Sequence, residues 1–187
     1  MGVFREIGAS NHTAHERQPL DYYATESKAT EYLVKLESLD KNIWECACGG
    51  GHMSEVLIRH GHNVRCSDIY NYGGNEVLDF LSTNEKWHSS IVTNPPYRHS
   101  LAFVKKALEI IPEGKKVCMF LKVTFLEGKE RGEFFKENPP CRVWVSSSRL
   151  KCAMNGDFEN LGSSATAYAW FVWIKGYKGE TIVKWFN

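Results

Sequence analysis

An asparagine, two prolines and a tyrosine follow a short apolar segment, in the order Asn94-Pro95-Pro96-Tyr97. Each proline fixes one φ angle and removes one N–H donor, so this backbone presents carbonyl acceptors beside the side-chain oxygen of Asn94. Two such acceptors can hold both hydrogens of an amino group while its nitrogen lone pair attacks an electrophile. Tyr97 adds a flat face on which a planar ring can stack. The tetrapeptide therefore favours a grip on a planar NH2 group, although in isolation a strand-ending turn is the default interpretation.

A second segment that could do chemistry is Trp44-Glu-Cys-Ala-Cys-Gly-Gly-Gly-His52. Glycines between a strand and a helix let the backbone approach a ligand closely, and the helix N-terminus favours negative groups. Asp68 follows Gly49 by 19 residues, where a nucleotide site places the acid that accepts ribose hydroxyls. The pair Gly49-x-Gly51 is weak alone, because Ser54 stands where a third glycine is expected. Together with Asp68 it favours a nucleoside-containing ligand, and the absence of a G-x4-G-K-[ST] run argues against a P-loop enzyme.

Positioning these residues requires alternating strands and helices. The periodicity predicts helices over 27–38, 53–59, 101–111 and 131–136, and strands over 42–47, 63–68, 91–93, 116–122, 141–146 and 165–174. This alternation predicts an α/β fold of the doubly wound class, with a mostly parallel sheet, helices on both faces and last strands that need not be parallel. Residues 1–20 are expected to form a polar N-terminal arm and residues 21–187 a single domain. The closely spaced Trp170, Phe171 and Trp173 are interpreted as core, because strand neighbours alternate sides.

Composition limits the class of protein. The chain has 187 residues, is 43% hydrophobic and carries a formal net charge of +1, which suits one sizeable core. No apolar run reaches the roughly 18 residues of a membrane helix and no signal-peptide core is seen, so we expect a cytoplasmic protein without a membrane partner. The six cysteines are expected to be buried free thiols. Cys46-x-Cys48 is interpreted as packing, and no metal site is predicted, because no second pair accompanies it.

Charge is uneven along the chain. Residues 1–90 hold 8 Lys and Arg against 13 Asp and Glu, whereas residues 91–187 hold 15 against 9. The second half is therefore the candidate surface for an anionic partner. A chance division of solvated helix charges is an equally weighted interpretation.

Taken in order, the segments resemble the S-adenosylmethionine-dependent N6-adenine DNA methyltransferases of the small phage type. The resemblance covers most of residues 21–187 and follows the gamma order of motifs. Asp21-Tyr-Tyr-Ala-Thr-Glu26 resembles the segment before the first strand, Glu45-Cys-Ala-Cys-Gly-Gly-Gly51 the cofactor loop, Asp79-Phe-Leu81 the adenine-binding segment, and Asn94-Pro-Pro-Tyr97 the catalytic loop. The chain departs from the family at Glu26 and Cys46, where proline is common, and it lacks a target-recognition domain after the catalytic loop.

The resemblance implies a seven-stranded Rossmann-like methyltransferase sheet with an antiparallel strand near the C-terminus, and S-adenosylmethionine as cofactor. It implies cofactor contacts from Tyr23, Thr25, Glu45, Gly49, Gly51, Asp68, Asp79 and Phe80. It also implies that Asn94 and the Pro95 carbonyl, in a loop stiffened by Pro96, hold the target N6, while Tyr97 stacks on the flipped adenine.

Phosphate contacts are expected from polar, basic segments near the catalytic loop and after a later strand: Arg98, His99, Arg149 and Lys151. Solvated loops would have the same composition. DNA is the expected partner, and RNA is a second candidate because the catalytic loop contacts only the base. Two further interpretations stay open, a protein glutamine methyltransferase and a non-enzymatic nucleic-acid-binding module. The recognition sequence and the oligomeric state also stay open.

Overall fold

Eight strands form one mixed sheet in the computed structural model of the chain, which describes residues 22–154, 156–159 and 166–187. The strands of both sheets are β1 (Tyr23–Thr25), β2 (Asn42–Glu45), β3 (Asn63–Asp68), β4 (Glu76–Val77), β5 (Ser90–Thr93), β6 (Lys116–Lys122), β7 (Arg142–Ser146), β8 (Cys152–Met154), β9 (Tyr168–Ile174) and β10 (Ile182–Phe186). The helices are α1 (Ser27–Leu36), α2 (His52–Arg59), α3 (Ser100–Ile110) and α4 (Lys129–Glu137), with 3-10 turns at Tyr97–His99 and Val123–Leu126.

The strand order of the main sheet is β10-β7-β9-β6-β5-β2-β3-β4. Strands β4, β3, β2, β5 and β6 run parallel to one another, whereas β9 lies antiparallel between β6 and β7. Strand order reverses direction between β2 and β5, so the carboxyl ends of these strands border the crevice in which doubly wound folds bind ligands. The predicted doubly wound class and the antiparallel strand near the C-terminus are confirmed.

Apolar side chains cover both faces of the sheet, as strand alternation requires. One core contains Trp44, Phe171 and Trp173 with residues of α3, and the opposite core contains Ile43 and Trp170 with residues of α1 and α2. Helices therefore cover both faces. The prediction that Trp170, Phe171 and Trp173 belong to the core is confirmed; Trp170 lies on one face of the sheet and Phe171 and Trp173 lie on the other.

The main differences from the sequence-based prediction are short or peripheral strands. The main sheet has eight strands rather than seven, because β10 pairs in parallel with β7 at the edge. Strands β1 and β8 were not predicted, and they form a separate antiparallel pair in which Thr25 faces Cys152. Three-residue strands carry too little periodicity to be recognised, and β10 is mostly exposed and so lacks an apolar alternation. The predicted polar arm, residues 1–20, lies outside the described residues.

Some of the excess charges of the two halves of the chain pair with each other inside the fold. Lys115 and Lys116 of the basic half pair with Asp40 and Glu37 of the acidic half, at N···O distances of 2.8 and 2.9 Å. These pairs connect β6 to the end of α1 and to the loop that follows it. None of the helices within 22–154, 156–159 and 166–187 combines the length and apolarity needed to cross a bilayer.

Candidate active site

A cavity of about 850 Å³ lies where β2, β3, β5 and β6 end. It is lined by most of the predicted site residues, namely Tyr23, Thr25, Glu45, Asp68, Asp79, Phe80, Asn94, Pro96, Tyr97, Arg98 and His99. Its size is in the range of small-molecule and cofactor sites, about 300–1,000 Å³. Among the predicted residues alone, the fold brings together side chains that are up to 76 positions apart, as counted from Tyr23 to His99.

The amide of Asn94 has a fixed orientation. Its Nδ2 donates to the Tyr23 carbonyl and to Thr25 Oγ1, both at 3.0 Å. A backbone carbonyl can only accept, so the nitrogen must face Tyr23 and the oxygen must face the other way. Asn94 Oδ1 is shielded from solvent and has no hydrogen-bond partner among the described residues. An unpaired buried acceptor costs about 1–3 kcal/mol, so Asn94 Oδ1 would gain free energy from a donor that the described residues do not supply.

Tyr97 begins the 3-10 turn that follows the two prolines, and His99 N–H closes this turn on the Pro96 carbonyl at 2.9 Å. The Tyr97 hydroxyl donates to the Tyr168 hydroxyl at 3.1 Å. Burial raises the pKa of Tyr97, so its hydroxyl stays neutral at physiological pH. The Lys122 ammonium lies 4.4 Å from the centre of the Tyr97 ring, within the range of a cation–π interaction.

The glycine turn is tied to Asp68. Gly49 N–H donates to Asp68 Oδ2 at 2.9 Å, and Tyr70 N–H donates to Oδ1 at 3.2 Å. Burial raises the pKa of Asp68, and the N–H donors offset part of this rise. Each carboxylate oxygen keeps a further acceptor direction, so ribose hydroxyls can still bind. The Tyr22 hydroxyl accepts from Gly50 N–H at 3.0 Å and lies 2.9 Å from His52 Nδ1.

Glu45 lies under the same turn, with 3% of its surface exposed. Its carboxylate accepts a short hydrogen bond from the Ser54 hydroxyl at the start of α2. Burial raises its pKa well above the ordinary range of a carboxyl. A cationic ligand group nearby would favour the charged form, so Glu45 fits the positive end of an amino-acid-containing cofactor.

Asp79 and Phe80 close the cavity on the side of β4. Asp79 Oδ1 accepts from Leu81 N–H at 3.0 Å, which shapes the turn that carries both residues. Phe80 is 2% exposed and stacks on Phe103 with ring centres 5.1 Å apart. The Phe80 ring therefore has a rigid support.

Not every predicted residue lines the cavity. Gly49, Gly51 and Pro95 are not among the lining residues, and neither are Arg149 and Lys151, which lie in the loop before β8. Lys151 N–H donates to Glu26 Oε2 at 3.0 Å, so this loop is joined to the start of α1.

Sequence reasoning missed Tyr22, Lys122 and Tyr168 as cavity residues. Tyr22 belongs to the segment quoted for the resemblance, and Lys122 occupies the carboxyl end of a parallel strand. The end-of-strand rule could have found Lys122. Nothing in the sequence indicated that Tyr168 lines a cavity, because it lies in an apolar strand that was predicted as core.

The strand order and the single antiparallel strand near the C-terminus define the class I methyltransferase fold, and solved structures with this fold superpose on the chain. No protein-family model matches the sequence, and no curated protein matches it.

A Listeria monocytogenes protein, proposed to be a class I S-adenosylmethionine-dependent methyltransferase, superposes with a TM-score of 0.63 at 11% identity, covering 91% of this chain and 68% of that one. A type I restriction-modification methyltransferase subunit from Streptococcus thermophilus superposes with a TM-score of 0.56 at 11% identity, covering 84% of this chain and 47% of that one. A Pyrococcus horikoshii protein, proposed to be an RNA methyltransferase, superposes with a TM-score of 0.54 at 13% identity, covering 80% of this chain and 83% of that one. At these identities the likeness establishes the fold, and the chain spans less than half of the Streptococcus subunit.

Proposed function

We propose that this protein transfers a methyl group from S-adenosylmethionine to the exocyclic N6 amino group of adenine in DNA. The observation that carries the proposal is the Asn94 amide, whose nitrogen is anchored by Tyr23 and Thr25 while its buried oxygen lacks a donor among the described residues. An amino group supplies the missing donor. Similarity in fold to methyltransferases, including a restriction-modification subunit, supports the reaction class.

The residues at one end of the cavity fit S-adenosylmethionine, which when bound supplies an electrophilic methyl group. Asp68 offers carboxylate acceptors for ribose hydroxyls, and Glu45 offers a negative charge for the cationic amino-acid part. Asp79 and Phe80 flank the position proposed for the cofactor adenine, where Phe80 supplies a supported ring.

The residues at the other end fit an adenine. Asn94 Oδ1 and the Pro95 carbonyl would accept the two N6 hydrogens and keep the nitrogen lone pair directed at the methyl donor. Tyr97 would stack on the base. The nitrogen becomes cationic when it is methylated and is then acidic enough to lose a proton to water, so no general base is assigned. Base flipping is part of the proposal, because N6 of a paired adenine cannot reach the cavity; extrusion costs a few kcal/mol.

The direct test is transfer of tritium from labelled S-adenosylmethionine to duplex DNA, with N6-methyladenine identified after digestion. Asn94→Ala should reduce transfer at least about 100-fold, because both the acceptor and the anchored amide are lost. Cofactor affinity, measured by calorimetry, should change little.

Asn42→Ala is the matched control, since the Asn42 amide is exposed at the opposite end of the sheet and contacts Asn63. It should keep wild-type transfer. Label found only in RNA or protein, or no transfer by wild-type protein that binds the cofactor, would overturn the proposal. A large loss of cofactor affinity in Asn94→Ala would instead assign Asn94 a structural role.

An RNA adenine is the second candidate acceptor. The proposed catalytic contacts involve only the base, and one solved structure with this fold belongs to a protein proposed to be an RNA methyltransferase. An RNA oligonucleotide of the same sequence is therefore included in the transfer assay.

A further inference from the structure

Charged residues around the cavity are segregated by sign. The carboxylates of Asp68 and Asp79 lie at the end of β3 and just after β4, whereas Arg98 and Lys122 lie just after β5 and at the end of β6. The buried carboxyl of Glu45, whose pKa is raised, ends β2 on the acidic side. The strand order β6-β5-β2-β3-β4 places these groups on opposite sides. A cavity with this polarity suits a cationic ligand at one end and an anionic ligand at the other.

Tyr97 separates the main cavity from a smaller one of about 80 Å³, and Lys122 lines both. The small cavity is also lined by Ser100, Thr124 and Arg131. An engineered cavity of about 150 Å³ accepts a benzene molecule, so the smaller cavity has room for a group of a few heavy atoms, such as a phosphate, and not for a purine.

The two cations of this small cavity have no anionic partner in the described part of the chain. Lys122 contacts the Tyr97 ring. The Arg131 guanidinium donates to the carbonyls of Glu127 and Thr124, which leaves further N–H donors of its fork unused. By contrast, Lys105 and Lys106 of the neighbouring helix α3 pair with Glu130 and Glu109.

The positions of the two cations support the same conclusion. Lys122 ends β6 and Arg131 lies in the first turn of α4, and both residues line the small cavity and are partly exposed. Arg131 is also supported by the Phe125 ring, 5.3 Å from its guanidinium carbon. Contacts that already restrict a side chain lower the entropy cost of binding an anion.

We propose that Lys122 and Arg131 form a phosphate subsite beside Tyr97, which binds the sugar-phosphate backbone of a nucleic acid next to the nucleotide that enters the main cavity. The subsite deepens the proposed function and rests on it. It assigns the acceptor to the class of polyanionic nucleic acids, because a protein acceptor offers no phosphodiester for two unpaired cations. It also places the path of the strand on the side of α3 and α4, away from Arg149 and Lys151.

The test is equilibrium binding of a fluorescein-labelled, adenine-containing oligonucleotide at several salt concentrations, with S-adenosylhomocysteine present. Lys122→Met and Arg131→Met keep most of each side-chain stem and remove the charge. Each should weaken binding about tenfold and lower the salt dependence, d log K/d log[salt], by about 0.7–0.9, the share of one phosphate contact. Affinity for S-adenosylhomocysteine should stay unchanged.

Lys136→Met is the matched control, because Lys136 lies on the same helix, is exposed and pairs with Glu133. It removes the same charge and should leave both quantities near their wild-type values. Circular dichroism melting verifies that each variant folds. Binding is compared among duplex DNA, single-stranded DNA and RNA of the same sequence, to identify which nucleic acid supplies the phosphate.

The outcomes separate the two proposals. If wild-type protein methylates DNA and both cavity variants bind it with the control's affinity and salt slope, the subsite is wrong and the proposed function stands. If wild-type protein transfers no methyl group to DNA or RNA but binds them through Lys122 and Arg131, the subsite stands without the reaction. Transfer to a protein acceptor, with no salt-dependent binding of any oligonucleotide, overturns both.

Discussion

At the scale of single residues, Gly49 combines two requirements. Its φ is +49°, in the left-handed region that favours glycine. A Cβ atom added to it would lie 2.0 Å from Cε2 of Tyr22. Since the Tyr22 hydroxyl accepts from Gly50 N–H, the ring cannot move aside without losing a contact to the turn. The glycine therefore permits both the turn and the aromatic residue packed on it.

We expect Gly49→Ala to weaken S-adenosylhomocysteine binding by about tenfold or more and to destabilise the fold by more than backbone strain alone, about 1–2 kcal/mol. Gly61→Ala is the matched control, because Gly61 has φ +87° and open space around its Cβ position. Gly61→Ala should lower the free energy of unfolding through backbone strain but leave the affinity for S-adenosylhomocysteine unchanged. Isothermal calorimetry and urea unfolding give the two quantities; equal behaviour of the variants would refute a role for the Tyr22 contact.

At the scale of elements, Glu37 joins helix α1 to strands β6 and β7. Its carboxylate accepts from Lys116 Nζ, Arg142 Nη2 and Trp144 Nε1 at 2.9, 2.8 and 2.9 Å. Burial alone would raise the pKa of Glu37, but the hydrogen bonds from Arg142, Trp144 and Lys116 outweigh it and lower this pKa to about 2. One carboxylate thus fixes the end of a helix against two strands that are separated in the sheet by β9.

The lowered pKa predicts a stability that depends on pH. The folded state holds the carboxylate more tightly than the unfolded state, so this contribution, about 3 kcal/mol, is complete above the unfolded pKa of 4.5 and is lost as pH falls towards 2. Glu37→Gln should therefore lower the free energy of unfolding by about 3 kcal/mol at pH 7 and by less at pH 3.5. Urea titrations at both pH values measure this; Glu133→Gln, an exposed position, is the control. A difference independent of pH would refute the assignment.

At the scale of the whole molecule, β9 holds the two halves of the sheet together. It pairs with β6 along seven residues and with β7 along four, and its side chains enter both cores. Trp170 is fully buried and its Nε1 donates to the Ala29 carbonyl of α1 at 2.8 Å. The cavity depends on this arrangement, because Tyr168 at the start of β9 holds the Tyr97 hydroxyl.

Trp170→Ala should cost about 3–5 kcal/mol in free energy of unfolding, the range for a large aromatic side chain removed from a core. Trp185→Ala on the edge strand β10, where Trp185 is 67% exposed, should cost less than about 0.5 kcal/mol. Guanidinium unfolding followed by circular dichroism measures both. Similar losses in the two variants would contradict the expected contribution of the buried Trp170 to the core.

Several features followed from local patterns. The helices α1 to α4 and the longer strands were predicted within three residues at every end, with no difference for β3 and β6, because apolar periodicity and glycine or proline stops act over a few neighbours. The strands β1, β4, β8 and β10 were not, since pairing with distant strands rather than local propensity stabilises such short or exposed segments.

The sequence by itself determined the alternation of strands and helices, the glycine turn with Asp68 after the next strand, and a rigid, donor-poor Asn94-Pro95-Pro96-Tyr97 segment. Tertiary structure alone decided how that segment is oriented. The acceptors that fix the Asn94 amide are 69 and 71 positions away. It also decided that Lys122 and Arg131 lie beside Tyr97 without an anionic partner among the described residues. Turn chemistry acts through adjacent bonds, whereas hydrogen-bond partners and charge pairs depend on which distant segments pack together.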